Sequence, residues 1–208
     1  MTLTLISDTH FKHNQLKLAG GDMLIHSGDL CGHGTEGEVL AFLRWFEEQP
    51  YKHKIFIAGN HDWFFEGHSK SFIDKIIPPS IHYLNDSGIE IEGLKIWGSP
   101  IQPTFYDWAF NRKRGPEINK HWKLIPKDTD ILITHGPPLG ILDKTASDYN
   151  AGCEILLKKV DQIKPKLHVF GHIHEDYGMI KKGKTIFANA SLLNLKYQMV
   201  NAPIIIEI

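Results

Sequence analysis

The sequence predicts an α/β protein in which two β-sheets pack face to face and helices cover their outer surfaces. Short apolar runs alternate with amphipathic segments toward both ends of the chain, which is typical of strands separated by helices. Between these regions, residues 89–98 alternate apolar and polar side chains, as hairpin strands do. No repeat, low-complexity stretch or linker interrupts the 208 residues. We therefore expect a single domain, residues 1–208, with one layered core.

The first third of the chain is expected to alternate strands and helices. Thr35 and Glu38 have the spacing of a capping box, which predicts the start of an amphipathic helix, and Pro50 ends that helix. The expected elements are strands at residues 2–7, 22–26 and 55–57, a helix from Thr35 to Pro50, and a short helix at residues 69–77.

The remainder of the chain is expected to supply the second sheet. Its apolar positions recur with strand or helix spacing, except in residues 99–125, which have neither. The final segment, Pro203–Ile208, is expected to complete this second sheet. The other expected elements are strands at residues 81–84, 89–98, 130–134, 167–170, 179–180 and 185–188, and a helix at residues 152–163.

Two aromatic segments have two interpretations each. Trp63, Phe64 and Phe65 follow a strand end directly, so they form either a core contact or the wall of a pocket. The irregular segment 99–125 carries several aromatic residues, and a long loop in a compact domain is usually functional. We expect the loop as a whole to contact substrate, whereas for any single residue covering the core is the favoured interpretation. Its notable residues are Phe105, Tyr106, Trp108, Phe110, Arg112 and Arg114.

Composition excludes several classes of protein. The formal net charge is -1 and the pI is about 6.9, so no basic excess favours a polynucleotide partner. The two cysteines, Cys31 and Cys153, lack the spacing of a disulfide framework or a zinc–thiolate site. The first residues do not form a signal peptide, and no apolar run reaches membrane-spanning length. We expect a cytoplasmic protein with no membrane partner, and nothing in the sequence indicates its oligomeric state.

Five predicted strands end directly in aspartate, asparagine or histidine. Ligands of open α/β sheets collect outside the carboxyl ends of strands, so these five ends are expected to converge on one site. Aspartate and asparagine are common in turns, but turn chemistry does not favour imidazole at so many strand ends. The candidate metal ligands at these ends are Asp8, His10, Asp29, Asn60, His135, His172 and His174.

This ligand set is expected to hold two divalent ions. It contains carboxylate, amide and imidazole groups without thiolate, which suits Mn²⁺, Fe, Zn²⁺ or Co²⁺ in a catalytic site. Seven ligands are too many for one tetrahedral ion, but they suit two ions about 3.5–4 Å apart that share a carboxylate. Two such ions with two aspartates leave a charge of +2, which one hydroxide and one phosphodiester monoanion neutralise.

His61 is not needed as a ligand and is expected to face the substrate. Together with Asn60 it would contact the substrate, and it could protonate the leaving oxygen, an effect worth roughly 10²–10⁴-fold. Asp62 follows directly and is expected to orient the His61 ring, which would make His61 and Asp62 the catalytic pair.

The remaining histidines have other interpretations. His168 is expected to be packed and hydrogen-bonded within a strand. His26 and His33 flank Asp29, and each either has no part in the site or supports its ligands or contacts the substrate. The histidines expected at the surface are His13, His53, His68, His82 and His121.

The series of motifs resembles the calcineurin-like metallophosphoesterase superfamily. Its elements are Asp8-Thr9-His10, Gly28-Asp29, Gly59-Asn60-His61-Asp62, Thr134-His135-Gly136 and Gly171-His172-Ile173-His174. Further stretches resemble the metallophosphoesterase-domain branch of brain "239" type, over nearly the whole chain. They are Gly98-Ser99-Pro100-Ile101-Gln102-Pro103, the run from Asp130 to Gly140, and the run from Leu167 to Glu175.

The resemblance implies a four-layer αββα sandwich of two mixed sheets flanked by helices. It also implies that Asp8, His10 and His174 hold one metal ion. Asn60, His135 and His172 then hold the second, with Asp29 as the bridge and His61 as the catalytic histidine. The resemblance further implies a phosphodiesterase for cyclic nucleotides and small aryl diesters, usually with Mn²⁺.

One departure from the superfamily favours phosphodiesters over phosphomonoesters. The protein Ser/Thr phosphatases follow the bridging aspartate with an Asp-Arg segment, whereas this chain has Leu30-Cys31-Gly32-His33. A doubly charged monoester needs more fixed positive charge than a diester does. The alternatives are a nuclease, which the near-neutral charge disfavours, a phosphomonoesterase, and a scaffold without catalysis, which the complete ligand set disfavours.

Overall fold

A computed structural model describes all 208 residues, from Met1 to Ile208. The strands are β1 (Thr2–Ile6), β2 (Gly21–His26), β3 (Tyr51–Phe56), β4 (Ile81–Tyr83), β5 (Ser87–Ile91), β6 (Leu94–Ser99), β7 (Gln102–Pro103), β8 (Asn111–Arg112), β9 (Ile131–Thr134), β10 (Leu167–Phe170), β11 (Gly178–Lys182), β12 (Thr185–Asn189) and β13 (Ile204–Glu207). The helices are α1 (Glu36–Glu48), α2 (Trp63–Gly67), α3 (Lys70–Ile76), α4 (Pro116–Trp122) and α5 (Glu154–Ile163).

The strands form two large mixed sheets, as the sequence predicts. The first sheet has the order β13-β1-β2-β3-β4, and the second has the order β11-β12-β10-β9-β6-β5. Strands β1, β2 and β3 run parallel to one another, and so do β6, β9, β10 and β12. The carboxyl ends of the parallel strands therefore meet at one edge of each sheet.

Two buried clusters divide the molecule into layers. Alternate strand residues such as Leu5, Ile55 and Ile133 belong to a cluster shared by both sheets, because successive side chains of a strand point to opposite faces. The opposite strand faces pack with helices in the other cluster, where Phe42 of α1 lies 5.6 Å from Phe56 of β3 between ring centroids. This arrangement confirms the four-layer αββα sandwich.

Helix α1 begins as the sequence predicts. Thr35 accepts a hydrogen bond from the Glu38 amide at 3.3 Å, and the Glu38 carboxylate accepts one from the Thr35 amide at 3.0 Å. This reciprocal capping box satisfies amides that a helix otherwise leaves without partners.

The sheet predicted for two of the strands is wrong. Strand β4 pairs parallel with β3 in the first sheet, although residues 81–84 were expected in the second. Strand β13 pairs antiparallel with β1, with Leu5 opposite Ile204, and so lies in the first sheet rather than the second. Ile204 and Ile206 are buried whereas Ile205 between them is exposed, so one face of the strand is buried. This pattern carries no information about which neighbour supplies the hydrogen bonds.

Segment 99–125 is more regular than predicted. It contains the short strand pair β7–β8 and helix α4, which buries Ile118 and Trp122. Gly115, with φ 89°, precedes Pro116 at the first helical turn. Proline is favoured there because its missing amide has no partner in a first turn. The Gly-Pro pair was therefore a signal for this helix.

Two further predictions concern aromatic and imidazole packing. Of the two interpretations of residues 63–65, core packing is correct, because Phe64 and Phe65 are buried and only Trp63 is exposed. His13 was expected at the surface, and this prediction is wrong: it is fully buried, with Phe42 and Trp45 as aromatic neighbours.

No helix in the structure combines the length and apolar character that crossing a bilayer demands.

Candidate metal centre

The five strand ends converge on one site, as the sequence predicts. The amide of Asp8, after β1, donates to the Gly28 carbonyl at 2.9 Å, and the amide of Gly171, after β10, donates to the His135 carbonyl at 2.9 Å. Ser7 and Ser191 form a parallel bridge that joins the ends of β1 and β12, strands of different sheets. The site therefore lies where the two sheets meet.

One group of ligand atoms consists of Asp8, His10 and His174. The Nε2 atom of His174 lies 3.4 Å from Asp8 Oδ1 and 3.3 Å from His10 Nε2. All three ligand atoms lie within 4.8 Å of one another, so this group could hold a metal ion. Its members come from β1 and β10, one strand of each sheet.

A second group consists of Asp29, His135 and His172, whose ligand atoms also lie within 4.8 Å of one another. Asn60 joins this group, because its Oδ1 lies 2.9 Å from His135 Nε2. His10 Nε2 lies 3.6 Å from Asp29 Oδ2, whereas His135 Nε2 lies 3.4 Å from Asp29 Oδ1. The two oxygens of Asp29 thus face different groups, as a bridging carboxylate requires.

His61 also approaches the ligand atoms. It forms a third possible metal-binding group with His10 and Asp29, and its ring lies edge-on to His10 at 4.5 Å between centroids. The amide of His61 donates to Asp29 Oδ1 at 2.8 Å. The structure therefore places His61 within reach of both a metal ion and a substrate that such an ion would hold.

The backbone of the site is strained. Asp8, His10, Asp29 and His172 all have positive φ, at 54°, 39°, 56° and 70°. Each such residue costs of the order of 1–3 kcal/mol, and strain of this kind is concentrated at functional sites.

Two glycines of the motifs allow the strand ends to approach closely. A Cβ atom on Gly59 would lie 2.3 Å from Asp29 Oδ1, and one on Gly171 would lie 2.1 Å from Asp8 Oδ2. Both contacts are shorter than real Cβ atoms make, so any other residue would displace a candidate ligand.

Hydrogen bonds to backbone carbonyls orient two of the imidazole ligands. The Nδ1 atom of His135 donates to Ser27 O at 3.0 Å, and that of His174 donates to Asn194 O at 3.2 Å. In the neutral rings these bonds leave Nε2 without a proton and facing the ligand groups.

The protonation of the site fits a bound cation. Burial lowers the pKa of His10 to about 4 and that of His172 to about 3, which keeps both rings neutral. Burial also opposes protonation of His135 and His174, but the charges and hydrogen bonds of Asp29 and Asp8 outweigh it and raise both pKa values to about 9. In the metal-free protein, protons on His135 and His174 thus supply positive charge beside the buried carboxylates of Asp29 and Asp8. A bound metal ion would supply the same charge.

The chemistry of the donor atoms leads to the same conclusion. With its Nδ1 proton on Ser27 O, a neutral His135 would direct an Nε2 lone pair at the Asn60 Oδ1 acceptor 2.9 Å away. Two acceptors at this distance need a cation between or beside them, and in metal-free protein the proton that the raised pKa keeps on His135 fills that place. The residues present thus fit a pair of divalent ions held by oxygen and nitrogen ligands.

The predicted role of Asp62 is not supported by its contacts. Its carboxylate accepts the amides of Cys31 at 2.9 Å and Gly59 at 2.7 Å and makes no contact with the His61 ring. The partner of His61 Nδ1 is instead the Gly32 carbonyl at 2.8 Å. Asp62 is the N-cap residue of helix α2, yet its side chain makes no capping hydrogen bond and accepts the loop amides instead.

An open cavity of about 470 Å³ lies over the ligand groups. Trp108 stacks on His61 at 4.3 Å between centroids, and Phe105 lies edge-on to His172 at 4.9 Å. Tyr106 also lines the cavity and is 88% exposed. Phe110 is buried in the core and does not line the cavity.

The two arginines of segment 99–125 have structural partners outside this cavity. Arg112 pairs with Glu66 at 3.0 Å, and Arg114 forms an ion pair with Glu154. No lysine or arginine lines the cavity.

Several residues of the site were missed in the sequence. Ser191 donates to Asp8 Oδ2 at 2.8 Å, Asn194 holds His174, and Tyr197 lies edge-on to His10 at 4.9 Å. These residues belong to no motif that we identified, and their isolated side chains gave no signal. His26 supports the site through Thr9 at 2.9 Å, whereas His33 is exposed.

The fold and this site define a candidate metalloenzyme of the layered α/β class. Residues 1–176 match the model of the calcineurin-like phosphoesterase family. Metallophosphoesterase domain-containing protein 1 from Homo sapiens is 41% identical over 226 residues, which cover 98% of this chain and 69% of that protein. A UPF0046 protein from Caenorhabditis elegans is 36% identical over 220 residues, which cover 100% of this chain and 75% of that protein.

The chain therefore belongs to the calcineurin-like phosphoesterase family, and this membership supports a metal-dependent phosphoesterase. The structure of a phosphopantetheinyl hydrolase from Mycobacterium tuberculosis has a TM-score of 0.61 at 14% identity, over 91% of this chain and 88% of that one. Identity this low shows a likeness of fold alone.

Proposed function

We propose that this protein is a phosphodiesterase that uses two divalent metal ions, Mn²⁺ foremost, to hydrolyse small phosphodiesters such as cyclic nucleotides. The observation that carries the proposal is the makeup of the cavity over the ligand groups. Its lining combines histidine and aspartate with aromatic side chains and contains no lysine or arginine. A diester carries one negative charge, so it needs less fixed positive charge than a doubly charged monoester.

The candidate ligands form two metal-binding groups. Asp8, His10 and His174 form one metal-binding group, and Asn60, His135 and His172 form the other, with Asp29 between them. When bound, the two ions would supply positive charge for the phosphate and lower the pKa of a water molecule.

His61 is the proposed general acid. Its Nδ1 proton is held by Gly32 O, so Nε2 is the ring atom that can deliver a proton to the leaving oxygen. Stacking against Trp108 holds the plane of the ring. The chain thus supplies both the orientation and the proton for departure of the leaving group.

The aromatic wall supports a substrate with a flat group. The cavity is lined by Tyr106, Trp108 and Tyr197, together with the aliphatic Leu195. Stacking on an aromatic side chain is worth about 1–3 kcal/mol per base and tolerates different bases. A volume of about 470 Å³ suits a nucleotide-sized molecule.

The test compares a diester with a monoester of the same leaving group. Protein stripped of metal is supplied with Mn²⁺ and assayed with bis(p-nitrophenyl) phosphate and p-nitrophenyl phosphate, and then with cyclic nucleotides. We expect diester turnover to return with Mn²⁺ and to exceed monoester turnover. Preference for the monoester would make the protein a phosphomonoesterase. Absence of activity with Mn²⁺, Fe²⁺, Zn²⁺ and Co²⁺ would favour a scaffold.

A polynucleotide control separates a small-molecule enzyme from a nuclease. Cleavage of single-stranded DNA that weakens steeply as salt rises would indicate binding through many phosphates. We expect no such activity, because the cavity has no row of basic side chains.

A further inference from the structure

The loop from Leu30 to Thr35 lies between the candidate metal ligands and His61, the proposed general acid. It begins directly after Asp29, the candidate bridging ligand, and its Gly32 carbonyl accepts the Nδ1 proton of His61 at 2.8 Å. A displacement of Gly32 would therefore release His61 without altering any metal ligand.

Two carboxylates bind the backbone amides of this loop. Asp62 accepts the amides of Leu30 at 3.3 Å and Cys31 at 2.9 Å. The Glu38 carboxylate accepts the amides of Gly32 at 3.1 Å, His33 at 3.1–3.2 Å and Thr35 at 3.0 Å. Five backbone amides in six residues thus donate to two carboxylates. One of those held by Glu38 is the His33 amide, which shares a peptide unit with the Gly32 carbonyl that faces His61.

The contacts of Glu38 exceed what helix capping needs. A capping box requires only the bond from Glu38 to the amide of the N-cap residue, Thr35. Here the carboxylate also extends back to Gly32 and His33, and it accepts the Thr35 hydroxyl at 3.1 Å. Charge-assisted bonds to backbone amides are about twice as strong as neutral ones, so an ionised Glu38 is suited to fixing the loop.

We propose that Glu38 is a positioning residue for catalysis, which fixes the Gly32 carbonyl and thereby orients the His61 imidazole toward the leaving group. Glu38 does not touch the ligand groups or the cavity. It acts through one peptide unit, because its carboxylate binds the His33 amide while His61 binds the Gly32 carbonyl of the same unit. This inference rests on the proposed function only for its kinetic readout.

The central variant is Glu38→Gln. A glutamine offers one acceptor oxygen and places an NH₂ group against backbone amides that also donate. Some of the hydrogen bonds from the loop amides to residue 38 are therefore lost. We expect turnover of a diester with a poor alkoxide leaving group to fall about tenfold or more, since protonation of the leaving oxygen is worth roughly 10²–10⁴-fold. A diester with a p-nitrophenolate leaving group needs little protonation and should lose less than about twofold.

Two matched variants separate this role from charge and from helix stability. Glu36→Gln removes an acid from the same first helical turn, at an exposed position. Thr35→Ala removes the side chain that caps the Glu38 amide but leaves Glu38 free to bind Gly32. Both should keep the leaving-group dependence of the wild type, although Thr35→Ala should unfold more readily.

A double-mutant cycle tests the route of the effect. If Glu38 acts through His61, then Glu38→Gln should lower the rate further by less than about twofold in a His61→Ala background. An additive loss would overturn the proposal. So would a loss of bound Mn²⁺ in Glu38→Gln, because Glu38 would then act through Asp29 rather than His61.

A spectroscopic measurement does not depend on activity. In metal-free protein labelled with ¹⁵N-histidine, His61 should carry its proton on Nδ1 in the wild type, in Glu36→Gln and in Thr35→Ala. Glu38→Gln should show a mixture of tautomers. An unchanged tautomer would overturn the proposal even if the protein cleaved no phosphodiester, which separates this inference from the proposed function.

Glu38→Asp provides a second variant if Glu38→Gln does not fold. It keeps the charge but shortens the side chain by one methylene, so it cannot reach Thr35 and Gly32 together. We expect the same selective loss with the poor leaving group. Equal losses with both leaving groups would overturn the proposal.

Discussion

Trp108 stacks on His61, with ring centroids 4.3 Å apart and ring planes 29° apart. The contact is made by a residue of the irregular segment and a residue that follows β3, two parts of the chain far apart in sequence. It leaves the imidazole with a carbonyl partner at one edge and an aromatic face beside it.

Replacing Trp108 with alanine should lower turnover by releasing the His61 ring. An aromatic pair is worth about 0.5–1.5 kcal/mol, so we expect a loss of up to about tenfold in kcat for a diester with a poor leaving group. Steady-state kinetics measures this effect. Trp63→Ala is the matched control, because Trp63 is exposed and does not line the cavity. A change in KM alone would mean that Trp108 contacts substrate and does not orient His61.

Tyr106 should contribute to binding of substrates with a flat group. It is 88% exposed at the cavity wall, so Tyr106→Ala should leave the stability of the fold unchanged. Loss of stacking should raise KM about fivefold or more for an aryl or nucleoside diester and leave KM for dimethyl phosphate unchanged.

Tyr149→Ala is the control for Tyr106, since Tyr149 is also strongly exposed but lies outside the cavity. Equal effects of the two variants would show that the wall at Tyr106 does not contact the substrate.

Asp29 should determine whether metal ions bind at all. Its two oxygens face different ligand groups, so Asp29→Ala should lose both ions, whereas His61→Ala should retain both and lose most turnover. The measurement is the metal content of protein equilibrated with Mn²⁺ and passed through a desalting column. Because His61 also lies within ligand distance of His10 and Asp29, loss of metal from His61→Ala would assign it as a ligand.

His168 should make the fold sensitive to acid. It is fully buried, and burial lowers its pKa from 6.5 to about 3. Below pH 6.5 the unfolded chain therefore binds a proton at His168, whereas the folded chain binds it only near pH 3. The free energy of unfolding falls as the pH drops below 6.5. Between pH 7 and pH 5 this residue alone should lower the free energy of unfolding by about 2 kcal/mol.

His168→Gln should remove that acid sensitivity. Glutamine can still donate to the Thr134 hydroxyl, which His168 Nε2 contacts at 2.9 Å, but it does not titrate. Urea unfolding of metal-free wild type and variant at both pH values gives the difference. Thr134→Val is the control, because it removes the same hydrogen bond and leaves His168 able to titrate. An equal loss of stability in His168→Gln and wild type would contradict the prediction.

Much of the site was predictable because each motif is local. Apolar runs ending in Asp8, Asn60 or His135 indicate both a strand and the side chains delivered at its end. The rule that parallel strands present their carboxyl ends at one edge then brings these residues together. The capping box of Thr35 and Glu38 was equally local and is present.

The errors concern relationships between distant segments. Asp62 is adjacent to His61 in sequence, yet it contacts the amides of the preceding loop. His13 is polar, yet it packs between aromatic residues of α1 and the chain that follows β1. In both cases the partner lies in another element, and side-chain type alone does not identify it.

The sequence by itself determined the class of fold, the ligand types and the order in which they occur. These follow from hydrophobic periodicity and from the preferences of metal ions for oxygen and nitrogen ligands. Only the tertiary structure decided that Gly32 holds His61, that Asp62 binds loop amides instead and that Tyr197 borders the site. One local pattern of apolar residues is compatible with many partner surfaces. Which residues distant in the chain come into contact is therefore decided only when the layers pack together.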